Sequence, residues 1–223
     1  MRKYYEAYDD RYRQVHRENL HWFDENPSGI VLETMEKFSV AKGSRILEIG
    51  CGEGRDARFL LGKGYDVLAT DVSPAAVDCC RKQDPNHEDS YTVLDCLNCH
   101  MDEKYGFIYA VAVIHMLVPQ EDRDGFCRFY REHLADGGIG LICSMGDGME
   151  EFQSDISNAF STRDRRHEAS GKILQLANTS CRVVTMEKLR QEIMDNDLMV
   201  LEMGHTAVEP DFPEMIYAVV TIK

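Results

Sequence analysis

The chain has 223 residues, of which 43% are hydrophobic and 29% are charged, and its formal net charge is −14. The composition is that of a soluble globular protein, and the length fits one domain with a substantial core. The acidic balance disfavours a general nucleic-acid binder, because such proteins carry surplus Lys and Arg to displace counterions from phosphates.

Targeting and cysteine content point to the cell interior. No apolar run approaches the roughly 20 residues needed to span a bilayer. The N-terminal stretch MRKYYEAYDDRYRQ lacks the apolar core of a signal peptide. Eight cysteines in this setting are typical of reduced thiols rather than of a disulfide framework. We therefore expect a cytoplasmic protein.

The N-terminal segment, residues 3–38, is predicted to be helical with a break at residues 26–29. Its first part is crowded with aromatic and imidazole side chains, namely Tyr4, Tyr5, Tyr8, Tyr12, His16, His21, Trp22 and Phe23.

From residue 45 onward, short apolar runs alternate with amphipathic segments, as in a doubly wound α/β sheet. The predicted strands cover residues 45–49, 66–71, 91–95, 107–114 and 139–144. The predicted helices cover residues 56–64, 73–83 and 120–134. Ser73 and Pro74 are residue types favoured at the N-cap and at the first helical position.

The alternation lapses over residues 145–184, which are polar, weakly periodic and too numerous for a simple loop. A helix follows at 186–197, and then two strands at 198–208 and 215–223, joined across residues 209–213. Such a hairpin places the last strand antiparallel. The predicted fold is a single α/β domain, a Rossmann-like doubly wound sheet that is mostly parallel.

A glycine-rich turn follows the first strand in the segment RILEIGCGEGRD, residues 45–56. Glycine permits positive φ and removes the Cβ that would meet a ligand lying on the backbone. Ligands of open parallel sheets bind beyond the carboxyl ends of the strands, so the turn predicts a nucleotide-like ligand. A dinucleotide fingerprint would need a third glycine at Arg55, and no Gly-Lys-Ser/Thr follows for a P-loop.

The segment EIGCGEGRD, with Asp71 closing the second strand and Asp95 closing the third, resembles the class I S-adenosylmethionine-dependent methyltransferases. The resemblance covers residues 43–144, and the C-terminal helix and hairpin are consistent with the same fold. It implies S-adenosylmethionine as the cofactor and S-adenosylhomocysteine as the product.

The resemblance also implies roles at the methionine end of the cofactor. Gly50, Cys51 and Gly52 meet the methionine part, and Gly54 completes the turn. Glu48 lies close to the positively charged end of the cofactor and orients it, directly or through water.

At the nucleoside end, the resemblance assigns both ribose hydroxyls to Asp71 and a place beside the adenine to Val72. Asp95 lies near the adenine amino group, and the backbone amide of Cys96 faces a ring nitrogen. A carboxylate suits the ribose because it accepts two hydroxyl donors at once.

The run GCGEGRDARFLLGKGYDV resembles the small-molecule branch of this family, which includes thiopurine and tellurite-resistance methyltransferases. Members of that branch close an aromatic N-terminal helix over the cofactor, and Tyr8, Tyr12 and Trp22 are the candidates here; an ordinary packed core is the alternative. The implied organisation is a lid at 1–42, a cofactor core at 43–144, a substrate cap at 145–184 and a C-terminal part at 185–223.

The sequence contains two pairs of closely spaced cysteines. Cys96, Cys99 and His100 match the C-x-x-C-H pattern of haem attachment and offer zinc ligands, but they fall in the predicted adenine-side loop of a chain without an export signal. Cys79 and Cys80 lie on a predicted helix and are interpreted as structural. We expect no metal from these patterns.

His115 follows the fourth strand, where this fold presents residues to the methyl group and the acceptor, and the backbone near Val111 is expected to line the same cavity. His115 is either a general base or a wall of the pocket. No catalytic residue is otherwise assigned, because methyl transfer from a sulfonium needs chiefly alignment and desolvation.

Residues 161–172 concentrate positive charge in an acidic chain, with Arg163, Arg165, Arg166, His167 and Lys172. Arg165 and Arg166 are candidates for clamping an anionic substrate. The alternative is a solvated helix face that pairs with the neighbouring acidic residues Asp155, Asp164 and Glu168.

The sequence thus predicts a methyltransferase that transfers a methyl group to a small-molecule acceptor by in-line displacement. A macromolecular acceptor, protein or RNA, and a non-catalytic S-adenosylmethionine-binding protein are the alternatives. The acceptor atom and the oligomeric state are left open.

Overall fold

The computed structural model describes residues 2–22, 26–167, 170–208 and 212–223. The strands are β1 (Arg45–Ile49), β2 (Asp66–Asp71), β3 (Tyr91–Val93), β4 (Tyr105–Val111), β5 (Leu134–Met145), β6 (Phe152–Gln153), β7 (Thr162–Arg166), β8 (Ile173–Ala177), β9 (Arg182–Val183), β10 (Leu198–Val208) and β11 (Phe212–Ile222). The α-helices are α1 (Ala7–Arg17), α2 (Gly29–Lys37), α3 (Arg55–Gly62), α4 (Pro74–Gln83), α5 (Gln120–His133) and α6 (Met186–Asp195). Short 3-10 helices cover Tyr4–Glu6, Pro85–Ser90, Ile114–Met116 and Ile156–Asn158.

Seven strands form one sheet in the order β10-β11-β5-β4-β1-β2-β3. Strands β1 to β5 are mutually parallel, and β11 runs antiparallel to both β5 and β10. The predicted mostly parallel sheet with an antiparallel last strand is confirmed. The strand order reverses beside β1, between β2 on one side and β4 on the other, and this is where ligands of such sheets bind.

The sheet is buried on both faces, which explains the apolar strands. Ile46 and Leu47 on β1 and Phe107 and Ile108 on β4 have no exposed surface, although neighbouring residues point to opposite faces. Burying one such side chain contributes about 1.5–3 kcal/mol. Within the described residues, no helix combines the length and the apolar character that spanning a membrane requires.

Several predicted boundaries differ from those observed. Helix α1 ends at Arg17, and the described residues 18–22 and 26–28 are not helical, so the predicted break begins earlier than residue 26. The fourth strand ends at Val111 because Ala112 has φ +58°, and a 3-10 turn follows. The predicted junction residues Glu209–Asp211 lie outside the described residues.

The segment predicted to be polar and weakly periodic contains two small antiparallel pairs, β6 with β9 and β7 with β8. The β7–β8 hairpin packs against α1. Leu174 and Leu176 share a buried cluster with Val15, and the backbone amide of Ala177 donates to Gln14 Oε1 at 2.7 Å. The N-terminal helix and this segment therefore support each other.

A buried ion pair joins α5 to α6. The guanidinium of Arg123 donates to both carboxylate oxygens of Glu192, at 2.7 Å for the shortest contact, and to the carbonyl of Ile114 at 2.7 Å. The two charged side chains are 0% and 2% exposed. Arg182 adds a longer contact of 3.5 Å to Glu192, so the buried charges are paired mainly with each other.

We expect Arg123→Ala to lower the free energy of unfolding by about 3–5 kcal/mol, because it leaves the buried Glu192 carboxylate with only the longer contact to Arg182. Arg131→Ala is the matched control, since Arg131 lies on the same helix and its ion pair with Asp197 is exposed. That variant should lose less than about 1 kcal/mol. Urea unfolding of both variants measures the difference, and equal losses would contradict the argument.

Candidate functional site

A cavity that is partly open to solvent lies at the carboxyl ends of the central strands. Seven of the residues predicted from the sequence or its resemblance contribute to its lining: Tyr8, Tyr12, Gly50, Asp71, Val72, Asp95 and Cys96.

The glycine turn after β1 has positive φ at all three positions, +72° at Gly50, +56° at Gly52 and +82° at Gly54. A Cβ on Gly50 would lie 2.4 Å from Cγ2 of Val113, and one on Gly52 would lie 2.7 Å from the hydroxyl oxygen of Tyr12. Glycine is therefore required at these two positions partly because side chains of the protein itself pack against the turn.

Asp71 holds the turn in place from the end of β2. Its Oδ2 accepts from the backbone amide of Gly52 at 2.9 Å, and its Oδ1 accepts from the amide of Ser73 at 2.8 Å. Burial raises the pKa of Asp71 to about 6, since the loss of solvation outweighs these hydrogen bonds. Near neutral pH the group is a carboxylate, and each oxygen retains a lone pair for a further donor.

Asp95 is held by donors from two sides. Its Oδ2 accepts from the Tyr5 hydroxyl at 2.9 Å and from the Asn98 amide at 2.7 Å, while its Oδ1 accepts from the amide of Leu97 at 3.0 Å. Tyr5 also lines the cavity, and burial raises its pKa well above the usual value. Its role was missed from the sequence, where it was one aromatic residue among many.

The aromatic residues of the N-terminal segment separate into two groups. Tyr8 and Tyr12 line the cavity, and the Tyr8 hydroxyl donates to the carbonyl of Ser180 at 2.9 Å. Trp22 lies elsewhere, with its ring centroid 6.0 Å from that of His167 and 5.8 Å from Cζ of Arg165. Phe23, another aromatic residue of this segment, lies outside the described residues.

Glu48 lies at the end of β1 and is 4% exposed. Its Oε2 is buried and has no hydrogen-bond partner within the described part of the chain. Burial, followed by the nearby charge of Asp56, raises the pKa of Glu48 well above its usual value. An unsatisfied buried carboxylate next to the turn suits a ligand that brings positive charge to this position.

Three further predicted residues support the site without lining the cavity. Cys51 is buried, and its backbone amide donates to the carbonyl of Thr70 at 2.8 Å, which links the turn to β2. Gly54 approaches Cys80, whose Sγ would lie 2.9 Å from an added Cβ. Val111 ends β4 and is half-buried.

His115 is 4% exposed, and its ring packs edge-on against Phe212 at 5.8 Å between centroids. Burial, and then the positive charges of Arg123 and Arg11, lowers its pKa to about 3. A group with this pKa is a weak base at neutral pH. The residues that line the cavity near His115 are Val113, Met116 and Leu117 instead.

The predicted substrate arginines lie outside the cavity. Arg165 and Arg166 are on strand β7 rather than on a helix; Arg165 is half-buried against Trp22, and Arg166 is exposed. Asp164, on the same strand, hydrogen-bonds to Gln175, and the acidic neighbour Glu168 lies outside the described residues.

Comparison with known proteins matches part of the chain to methyltransferases. Residues 47–139 match the family model described as a methyltransferase domain. Hemagglutinin 1 of Eikenella corrodens is 38% identical over 112 residues, which is 46% of this chain and 35% of that protein. A probable S-adenosyl-L-methionine-dependent methyltransferase TehB of Haemophilus influenzae is 26% identical over 119 residues, covering 52% of this chain and 41% of the other.

Two further matches widen the comparison. A tRNA (carboxymethyluridine(34)-5-O)-methyltransferase of Saccharomyces cerevisiae is 31% identical over 103 residues, covering 45% of this chain and 35% of that protein. The solved structure of the CcbJ methyltransferase from Streptomyces caelestis superposes with a TM-score of 0.73 at 15% identity, covering 99% of both chains. The matched regions cover 35–41% of the length of the three sequence relatives named here, so this chain spans less than half of each of them.

The sheet order, the glycine turn with its two strand-end aspartates, and the family match have one common explanation. The chain thus has the Rossmann-like fold of the class I S-adenosylmethionine-dependent methyltransferases, and its residues 47–139 match a methyltransferase domain.

We expect Gly52→Ala to weaken binding of S-adenosylhomocysteine by about tenfold or more. The new Cβ requires a strained φ and displaces the Tyr12 hydroxyl from the turn. Gly43→Ala is the control, since φ there is not positive and a Cβ would meet nothing within 4 Å. Calorimetric titration measures both affinities, and equal affinities in the two variants would show that the turn does not contribute to the site.

Proposed function

We propose that the protein binds S-adenosylmethionine in this cavity and transfers its methyl group to a small-molecule acceptor. The observation that carries the proposal is that one cavity is lined by Gly50, Asp71, Val72, Asp95 and Cys96 together. These residues come from the ends of three neighbouring strands, and they match the three parts of the cofactor in order.

The nucleoside end is bound by the two aspartates. The Asp71 carboxylate accepts both ribose hydroxyls, and hydrogen bonds of this charged kind contribute about 1.5–3 kcal/mol. The adenine lies between Val72 and the apolar side chains of Leu94 and Leu97, which line the same wall. Asp95 accepts from the adenine amino group while Tyr5 and Asn98 hold its carboxylate.

The methionine end lies on the glycine turn. The buried Glu48 carboxyl group provides a negative charge when ionised, and it is stabilised in that form by the positive end of the cofactor. Tyr12 closes the site from the opposite side, with its hydroxyl above Gly52. The cofactor is thus enclosed by the sheet edge below and by α1 above.

The chemistry is an in-line displacement at the methyl carbon. A lone pair of the acceptor forms the new bond to carbon while the carbon–sulfur bond breaks, and the sulfonium becomes the neutral thioether of S-adenosylhomocysteine. Alignment and exclusion of water supply the rate. Val113, Met116 and Leu117 exclude water on the cavity wall, and His115 acts as part of the wall behind them rather than as a base.

A small acceptor is favoured by what surrounds the cavity. Helix α1 and the β7–β8 hairpin pack on each other, and the Tyr8–Ser180 hydrogen bond joins them beside the cavity. We assign these elements as a lid and a cap, which leaves a compact space suited to a metabolite. The net charge of −14 further disfavours a polyanionic acceptor such as tRNA.

We expect Asp71→Asn to weaken S-adenosylhomocysteine binding by about 10–100-fold, because the ribose loses its charged acceptor. Asp66→Asn is the matched control at the exposed start of the same strand.

The pH dependence tests the same group. Because the pKa of Asp71 is about 6, its carboxylate, which accepts the ribose hydroxyls, is protonated as the pH falls through that value. The affinity of the unaltered protein should then fall by up to about tenfold per pH unit below 6, and Asp71→Asn should lose this dependence. An unchanged pH profile in that variant would contradict the assigned role.

The acceptor is identified by incubating the protein with methyl-labelled S-adenosylmethionine and a cell extract, and by separating the labelled products by size before mass spectrometry. We expect label in a low-molecular-weight fraction, and less of it with Asp71→Asn at a cofactor concentration below saturation. Label in RNA or protein would favour a macromolecular acceptor instead. Tight binding with no labelled product would indicate a non-catalytic binding protein.

A further inference from the structure

A second cluster of functional groups lies beside the cavity, on the outer side of the glycine turn. His16 of α1, His21 of the following segment, Glu53 of the turn and Cys79 of α4 converge there. One potential ligand atom from each residue lies within 4.8 Å of the other three. Over residues 2–22, 26–167, 170–208 and 212–223, no other group of three or more metal-ligating side chains comes this close together. The side chains of the Cys96–His100 pattern do not form such a group.

The separations are close to those of a tetrahedral site. Glu53 Oε1 lies 2.5 Å from His16 Nε2 and 3.3 Å from His21 Nδ1, and the Sγ of Cys79 lies 3.9 Å from His21 Nδ1. Zinc bonds of about 2.0–2.3 Å at tetrahedral angles place ligand atoms roughly 3.3–3.6 Å apart. Displacements of the ligand atoms on the order of 1 Å therefore suffice to bring the four atoms around one ion.

We propose that His16, His21, Glu53 and Cys79 form a zinc site that joins the N-terminal segment to the glycine turn and to α4. Two imidazoles, one thiolate and one carboxylate are donors that zinc accepts in tetrahedral geometry. Magnesium and calcium prefer six or more oxygen ligands, and the cluster offers one carboxylate.

The groups around the cluster orient its ligands, as second-sphere partners do in zinc sites. The Glu53 side chain is 0% exposed, and its Oε2 accepts from the backbone amide of Trp22 at 2.7 Å. The ring of His167 hydrogen-bonds through Nε2 to the carbonyl of His21 at 2.7 Å. The carboxylate and the segment carrying His21 are thus both held in place.

In the metal-free cluster the side chains contact one another and Gln83. His16 Nε2 hydrogen-bonds to Glu53 Oε1, and the amide of Gln83 donates to the Sγ of Cys79 and contacts His21 Nδ1, each at 3.2 Å. Zinc displaces the Gln83 amide and binds thiolate and neutral imidazole, so its affinity rises with pH.

The test uses the full-length protein, stripped with a chelator and without cofactor, titrated with Co²⁺ and then with Zn²⁺. We expect one equivalent of Co²⁺ to produce the visible absorption of a tetrahedral ion together with a thiolate-to-cobalt charge-transfer band. One equivalent of Zn²⁺ should abolish both. Because no cofactor is present, the result does not depend on the proposed methyl transfer.

The variants separate the four ligands from other thiols and imidazoles. Cys79→Ser should remove the charge-transfer band and weaken zinc binding at least tenfold, and His21→Ala should weaken binding at least tenfold while the band persists. Cys99→Ser, the same substitution in the C-x-x-C-H pattern, should behave like the unaltered protein. Circular dichroism confirms that each variant is folded.

Two outcomes would overturn the proposal. One is the absence of stoichiometric Co²⁺ or Zn²⁺ binding by the stripped protein at pH 8. The other is a charge-transfer band that survives Cys79→Ser and is lost in Cys99→Ser, which would show that the thiolate ligand belongs to the C-x-x-C-H pattern and not to the proposed site.

Discussion

The hydrogen bond from the backbone amide of Gly52 to the carboxylate of Asp71 is the contact on which the site depends. It connects the end of β2 to the turn after β1, and the turn has a backbone conformation that side chains with a Cβ rarely adopt. The same carboxylate caps the amide of Ser73, whose hydroxyl in turn caps α4. One buried group thereby positions the turn, the strand end and the next helix relative to one another.

The elements that close the cavity are distant in sequence from the elements that form its floor. Tyr5 reaches Asp95, Tyr12 reaches Gly52, and Tyr8 reaches the carbonyl of Ser180. The hydroxyls of Tyr5 and Tyr8 make polar contacts, and all three rings line the cavity, so that one residue type both packs and orients. Cofactor binding and the order of the N-terminal segment are therefore expected to be coupled.

Buried charge is distributed unevenly over the molecule. The Arg123–Glu192 pair and Asp56, which accepts from the amide and the hydroxyl of Ser28, are satisfied by the protein itself. Glu48, which precedes the glycine turn, is not satisfied in the same way, because its Oε2 has no hydrogen-bond partner within the described residues. Leaving a buried carboxylate incompletely paired costs stability, and a cationic ligand recovers that cost on binding.

Much of the fold, and the meeting of the candidate site residues in one cavity, was predictable because the determinants are local. The spacing of the glycines, the apolar strands and the positions of Asp71 and Asp95 at strand ends are all readable within short windows. Parallel pairing then brings those strand ends to one edge of the sheet without further information. For the same reason the antiparallel last strand followed from a terminal hairpin.

Tertiary packing decided the rest, because contacts between residues 2–22 and 145–184 leave no periodic trace in the sequence. It placed Trp22 at the β7–β8 hairpin rather than in the cavity, and it buried His115 where its pKa falls to about 3. It also brought His16, His21 and Cys79 to Glu53 from separate elements, so no local spacing predicted a metal there. The sequence by itself determined the sheet and the floor of the site, whereas only the folded chain determined what covers it.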